Sequence, residues 1–326
     1  MRAIWIACIG VAVLAGSASG AAQKTTVNLV AYSTPQPAYT KIIPGFESTK
    51  AGQDADFSQS YGASGDQARA VASGQPADVV ALSLEPDVTS LVRKGLVGKK
   101  WNQNKYKGIV THSVVVFVVR DGNPKHIKGW GDLIKPGVEV ITPNPFTSGG
   151  ARWNVMAAYG AQRRNGKTDK QAIDYLYKLF KHVPVQPKAA RDALQVFAQG
   201  KGDVLLTYEN EAIYANKKGV HTDYAIPKST ILIENPVALT KSGMRKPAAK
   251  AFVNYLWSST AQRMYGQQGY RPVLKKVAAA FHFPTPPGLF SITDKKLGLN
   301  GWKAVQYRFF DHEKGVMVKV EKSIGQ

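Results

Sequence analysis

The sequence predicts an α/β protein made of two doubly wound α/β domains joined by two crossover strands. Three observations lead there. Apolar and β-branched runs alternate with helical stretches from Val27 to Lys94, the β, α, β, α, β order of a parallel sheet covered on both faces. The length, 326 residues, exceeds what a single core usually organises, about 250–300 residues. Two extended segments, near 113–120 and 229–239, are candidate links between the halves. The division assigns 23–115 plus 238–326 to a first domain and 116–237 to a second, after a leader over 1–22.

The elements follow in order. Val27–Tyr32 reads as a strand, and Ser33-Thr34-Pro35 opens a helix through Ile43, with a hydroxyl cap and proline close behind. Asp56–Ser60 is a strand and Asp66–Val71 a helix. Ala77–Leu82 is a buried-type strand, followed by a helix over Asp87–Lys94. Ser113–Arg120 is apolar on both faces. A short helix over Trp130–Ile134 and a strand over Val138–Thr142 follow, then the turn Pro143–Gly150 and helices over Ala151–Gln162 and Asp169–Lys181. Val183–Gln186 is a short strand, Asp192–Gln199 a helix, Asp203–Tyr208 a strand, and Glu209 starts another helix. Ser229–Leu239 is extended, and Ala248–Tyr265 forms one amphipathic helix. The tail from Lys275, rich in Pro, Phe and Lys, yields no assignment.

The N-terminus has the layout of a cleavable secretory signal: Arg2, an apolar run of twelve over Ile4–Ala15, then small residues to Ala22. Twelve is too few to cross a bilayer, which takes about 20 residues. The one cysteine, Cys8, lies inside that run, so the mature chain has no thiol, disulfide or thiolate metal site. The formal charge of +21 favours the arrival of anions. Nucleic acid is not an expected partner, because export opposes it and no arginine–aromatic recognition motif occurs.

Four places share one design: a strand ends, a small-residue turn follows, and a helix begins. They are Ser33-Thr34-Pro35, Ala63-Ser64-Gly65, Thr147-Ser148-Gly149-Gly150 and Lys188-Ala189-Ala190-Arg191. A helix start leaves N–H groups unpaired at the positive end of its dipole, and small residues let an anion reach them. Ligands of open α/β sheets bind at the carboxyl ends of strands, where these turns lie. No phosphate loop, dinucleotide fingerprint or nucleophile elbow is present. The six histidines are scattered, so neither a metal nor a cofactor is expected. Glu209 and Glu211 read as dipole-matched helix caps rather than a catalytic pair.

Pro143–Trp153 (PNPFTSGGARW) resembles the N-P-K-[TS]-S-G-G-A-R-W stretch of periplasmic sulfate-binding proteins, the receptors of sulfate/thiosulfate ABC importers. Gly62–Val71, Ala77–Val80, Phe117–Lys125, Gly202–Ala212, Tyr270–Pro272 and Leu289–Ile292 are also similar to that family, so the resemblance covers nearly all of the mature chain. It implies a type II periplasmic binding protein fold, with sulfate held dehydrated in the interdomain cleft by uncharged donors. Carried over, Ser64, Gly149, Gly150 and Ala190 would give N–H groups and Ser148 its hydroxyl. Three positions depart from the pattern. Tyr208 stands where the family has a tryptophan donor. Ser33 and Thr34 replace an aspartate, so either could supply the N–H there. Asp66 replaces a lysine, bringing a possible acceptor near the anion.

The resemblance thus implies a monomeric, non-catalytic periplasmic receptor that passes sulfate or thiosulfate to a membrane permease. Molybdate or phosphate on the same fold is the alternative motivated by Tyr208 and Asp66. An envelope enzyme acting on sulfate or phosphate esters lacks a cysteine, a histidine cluster and a metal-carboxylate motif. A structural or adhesive envelope protein would show no saturable binding of small anions. A donor-only site suits an unprotonated anion, whereas phosphate near neutrality needs an acceptor. The sulfate reading therefore requires Asp66 to turn away, into solvent or toward a cation such as Arg69 one turn along its helix.

Overall fold

The computed structural model describes residues 24–325, so the leader assigned to 1–22 lies outside the described residues. The first half is the predicted alternation. Strand β1 (Thr25–Tyr32) pairs in parallel with β2 (Ala55–Gly62) and β3 (Val79–Ala81). Helices α1 (Gln36–Glu47), α2 (Ser64–Ala72) and α3 (Glu85–Arg93) connect and follow these strands.

Strand alternation explains why helices cover both faces. Val27, Leu29 and Ala31 point into one core with Tyr39, Ile42 and Phe46 of α1, while Val30 points into another with Val71, Val88 and Leu91. Burying each large apolar side chain contributes roughly 1.5–3 kcal/mol.

The second half is built on the long strand β4 (Ile109–Arg120), which starts four residues before the sequence expectation. Its later part pairs antiparallel with β6 (Val204–Tyr208) and β7 (Thr222–Ala225), and β5 (Val140–Ile141) runs parallel to β6. Alternation recurs here. Val115, Phe117 and Val119 face the core under α4 (Gly149–Arg164) and α5 (Asp169–Phe180). Val114, Val116 and Val118 face α6 (Ala190–Ala198) and α7 (Glu209–Lys217).

The crossovers are as expected. Strand β8 (Ser229–Leu239) pairs with β4 over its middle and with β3 over Val237–Leu239, so β4 and β8 splice the two half-sheets into one ten-stranded sheet.

Three local expectations differ from the structure. Helix α1 starts at Gln36 with Pro35 at its cap, and the Thr34 hydroxyl is engaged by Tyr270 at 2.9 Å instead of capping the helix. Val183–Gln186 forms no strand. The helix expected over 248–265 is two helices, α8 (Pro247–Tyr255) and α9 (Ser259–Gln267), because Ser258 caps the second by accepting from Ala261 N–H at 3.1 Å.

The tail adds β9 (Arg271–Pro272), α10 (Lys275–Ala278), β10 (Gly288–Phe290), α11 (Trp302–Phe310) and α12 (Val316–Ser323). Its final part differs in placement from the sequence division, which groups it with the first domain. Phe290, Trp302, Val305, Phe309 and Met317 share a core with Trp153, Tyr159 and Leu176 of the second half. Aromatic contacts fix this docking: Trp302 meets Trp153 edge-on at 4.6 Å, and Phe309 meets Tyr159 at 4.9 Å.

Candidate functional site

The four small-residue turns lie where the carboxyl ends of strands from both halves meet. Their helices begin as the sequence requires. Ser64, Gly149 and Ala190 are the first residues of α2, α4 and α6. The backbone N–H groups of Thr34, Ser64, Gly149, Gly150 and Ala190 have no hydrogen-bond partner among the described residues. Ser148 caps α4 by accepting from Ala151 N–H at 3.3 Å, which leaves its hydroxyl hydrogen to donate elsewhere.

Close contacts bring the turns together. Gly65 N–H donates to the Thr147 carbonyl at 3.0 Å, joining the start of α2 to the start of α4. A Cβ at Gly149 would lie 2.5 Å from Ser83 Oγ, and one at Gly150 would lie 2.9 Å from the Tyr208 ring and 3.3 Å from Ala190 Cβ. Only glycine lets these surfaces approach so closely. Arg191, beside Ala190, donates to the Thr34 carbonyl at 3.2 Å, which draws in the first turn. Thr34, Ser64, Ser148, Ala190 and Tyr208 are all buried, and Ser33 is half-buried.

Tyr208 shares a 2.6 Å hydrogen bond with Ser83 Oγ, across from the end of β3. Ser83 is a site residue the sequence reading missed. Its N–H donates to Ser64 Oγ at 2.9 Å, and its carbonyl accepts from Trp153 Nε1 and Asn235 Nδ2, each at 3.0 Å. Nothing in the chain signals it, since a serine two residues past a strand is ordinary. Tyr32 was missed too. Its buried hydroxyl lies among those of Thr34 and Tyr270 without a hydrogen-bond partner, and its ring lies 6.1 Å from that of Tyr208. Burial holds both phenols well above their usual range, so each remains a protonated donor at neutral pH.

The charged groups around the site are paired with one another. Ser64 Oγ donates to Asp87 at 2.5 Å, and Asp87 lies 3.9 Å from Arg152. Burial pushes the Asp87 carboxyl above its usual range, opposed by the Arg152 charge and the Ser64 hydrogen bond. Arg152 also donates to the Pro145 carbonyl at 2.8 Å and so straps the glycine-bearing turn to its helix. Glu211 accepts two bonds from Arg191 at 2.8 Å and one from Asn210 Nδ2 at 3.5 Å, and Glu209 pairs with Arg271 at 2.7 and 3.0 Å. Both glutamates are fully buried, so they anchor cations as well as sitting at a helix start. Asp66 pairs with Arg69, both side chains being about half exposed. That is the turned-away arrangement.

This arrangement offers an uncharged cluster of N–H and O–H donors between two lobes. Its acidic neighbours are already satisfied, and among the described residues no group of metal-ligating side chains occurs. A two-lobed α/β molecule with such a cluster in its cleft is a solute receptor. The chain belongs to the bacterial extracellular solute-binding protein family, whose model matches residues 27–271. Among curated relatives, it is 43% identical to the sulfate-binding protein of Synechococcus elongatus, with 94% of this chain and 90% of that one covered. It is 33% identical to the thiosulfate-binding protein of Pseudomonas aeruginosa, over 95% of this chain and 96% of that one. Among solved structures, the sulfate-binding protein SubI from Mycobacterium tuberculosis H37Rv is 44% identical with a TM-score of 0.84, covering 88% of this chain and all of that one (100%).

Proposed function

We propose that the protein is a non-catalytic receptor that captures sulfate or thiosulfate outside the cytoplasm and delivers it to an ABC-type membrane permease. The observation that carries this reading is the set of unpartnered N–H groups at Ser64, Gly149, Gly150 and Ala190, gathered with Ser148 and Tyr208 in the cleft. The relatives named as sulfate- and thiosulfate-binding proteins support it. In this reading Ser33 or Thr34 completes the donor ring, the lobes are those on either side of β4 and β8, and the apolar N-terminal run is a cleaved export signal to the periplasm.

Chemistry favours an anion with no proton. Asp87 takes the Ser64 hydrogen and faces Arg152, and Asp66 pairs with Arg69, so both carboxylates are engaged with partners of this chain rather than offered to a phosphate hydroxyl. Neutral donors around a buried dianion gain strength from the low dielectric and avoid the strong, slow-to-release pairing of a direct salt bridge. Isothermal titration with sulfate, thiosulfate, molybdate and phosphate is the test. Preference for phosphate or molybdate, or heat without saturation, would sink the reading.

A further inference from the structure

The densest positive charge lies away from the cleft. Between Arg93 and Lys107 the chain carries six cations and no carboxylate. Lys94, Lys99 and Lys100 are exposed. The main chain beside them is tied to the turn that follows β8: Lys241 N–H donates to the Leu96 carbonyl at 2.7 Å, and Val97 bridges Thr240. Lys241 and Arg245, both exposed, therefore join the same surface. None of these five cations has an ion-pair partner among the described residues.

Met244 stands among them, half exposed at 50%, with its sulfur 3.9 Å from where a Gly98 Cβ would be. Its presentation is fixed by the one-turn helix Gly243–Arg245. Asp78 holds the residues on either side, accepting from Ser242 Oγ at 2.8 Å and Lys246 Nζ at 2.7 Å. The patch lies at the pole opposite the anion cleft. Leu239, just before it, pairs with Val79 at the start of β3, whereas Ser83 of the cleft follows the end of that strand.

Unpaired cations repel one another, and a surface that brings many negative charges at once relieves the cluster while releasing its counterions. A thioether held outward in the middle of the ring matches the boundary between headgroups and acyl chains. We propose that this pole docks the protein on an anionic phospholipid surface. Polybasic segments bind such surfaces within a Debye length, and the contact would keep a free receptor near the membrane while leaving the cleft open.

The experiment is sedimentation of the full chain with vesicles of mixed phosphatidylglycerol and phosphatidylcholine, and with vesicles of phosphatidylcholine alone. We expect binding to the anionic vesicles only, released by about 0.5 M salt. The double variant Lys99→Glu/Lys100→Glu should lower the partition coefficient at least ~25-fold, about five-fold for each lysine removed. Met244→Ser should lower it a few-fold, and Lys178→Glu on α5 should leave it unchanged. Circular dichroism confirms that each variant is folded. Equal loss in Lys178→Glu would show a general charge effect and overturn the assignment. Binding that resists salt would point to the apolar run near the N-terminus and overturn it as well. Capture by soluble polyphosphate with no vesicle binding would replace the lipid with a polyanion.

Discussion

At the scale of single residues, two glycines and a tyrosine are where the proposed site can be tested. A side chain at Gly149 would strike Ser83 across the cleft, and one at Gly150 would strike the Tyr208 ring. Gly149→Val should therefore abolish anion binding measured by titration calorimetry while leaving the far-UV spectrum unchanged. Unaltered affinity would remove this turn from the site. Tyr208→Phe keeps the ring but strips the partner of Ser83 Oγ, so anion binding should weaken by roughly 1–3 kcal/mol. The pair Ser83→Ala with Tyr208→Phe should be non-additive by about 0.5–3 kcal/mol, since the two hydroxyls share one hydrogen bond. Strict additivity would mean that the two act separately. The small-residue turns were legible in the chain because backbone donors need only a helix start and no bulk. Ser83, Tyr32, Asp87 and Arg152 were not, because their positions depend on neighbours far along the chain, such as Tyr208 for Ser83 and Tyr270 for Tyr32, and single-residue chemistry does not reveal which serine meets which phenol.

At the scale of elements, Asp78 holds one pole of the first lobe. Its carboxylate accepts from Asn28 N–H at 2.8 Å and from Ser242 and Lys246, so it fastens β1, β3 and the turn after β8. Burial raises this carboxyl, but the bonds from Lys246, Asn28 and Ser242 outweigh it and hold the group below its usual range. A depressed folded value means that the stability it contributes is present above the unfolded pKa of about 3.9 and is lost as pH falls below it. Asp78→Ala should cost roughly 1.5–3 kcal/mol in urea unfolding at neutral pH, and the gap from the parent should close below about pH 4. A constant gap across that range would refute the ionic account. The strands and most helices were readable from alternation and capping. The break before Ser259 was not read, because the apolar stripe of α8 and α9 continues across it while Ser258 alone marks the restart.

At the scale of the whole molecule, hydrogen bonds already join the lobes around the cleft: Gly65 to Thr147, Tyr208 with Ser83, Arg191 to Thr34. An anion that binds this closed arrangement stabilises it by mass action. Sulfate at a hundred times its dissociation constant should add about 2.7 kcal/mol, read as a rise in melting temperature that chloride at equal ionic strength does not produce. A net charge of +21 should also speed anion arrival. Stopped-flow tryptophan fluorescence should therefore show an association rate that falls steeply with added salt, while dissociation changes little. Salt-independent association would confine the charge to another role, such as the basic pole.

The return of the tail to the second lobe carries a consequence for when the protein can fold. Val305, Phe309, Met317 and Val320 complete a core that includes Val115 and Phe117. A chain emerging from its N-terminus exposes those early strands long before their last partners exist. The first lobe waits as well, since β3 needs β8 as its neighbour. Two of the four cores therefore wait for late segments, one for α11 and α12 and one for β8, α8 and α9. In the proposed export reading, that late completion favours a chain still open enough to be threaded through a narrow passage.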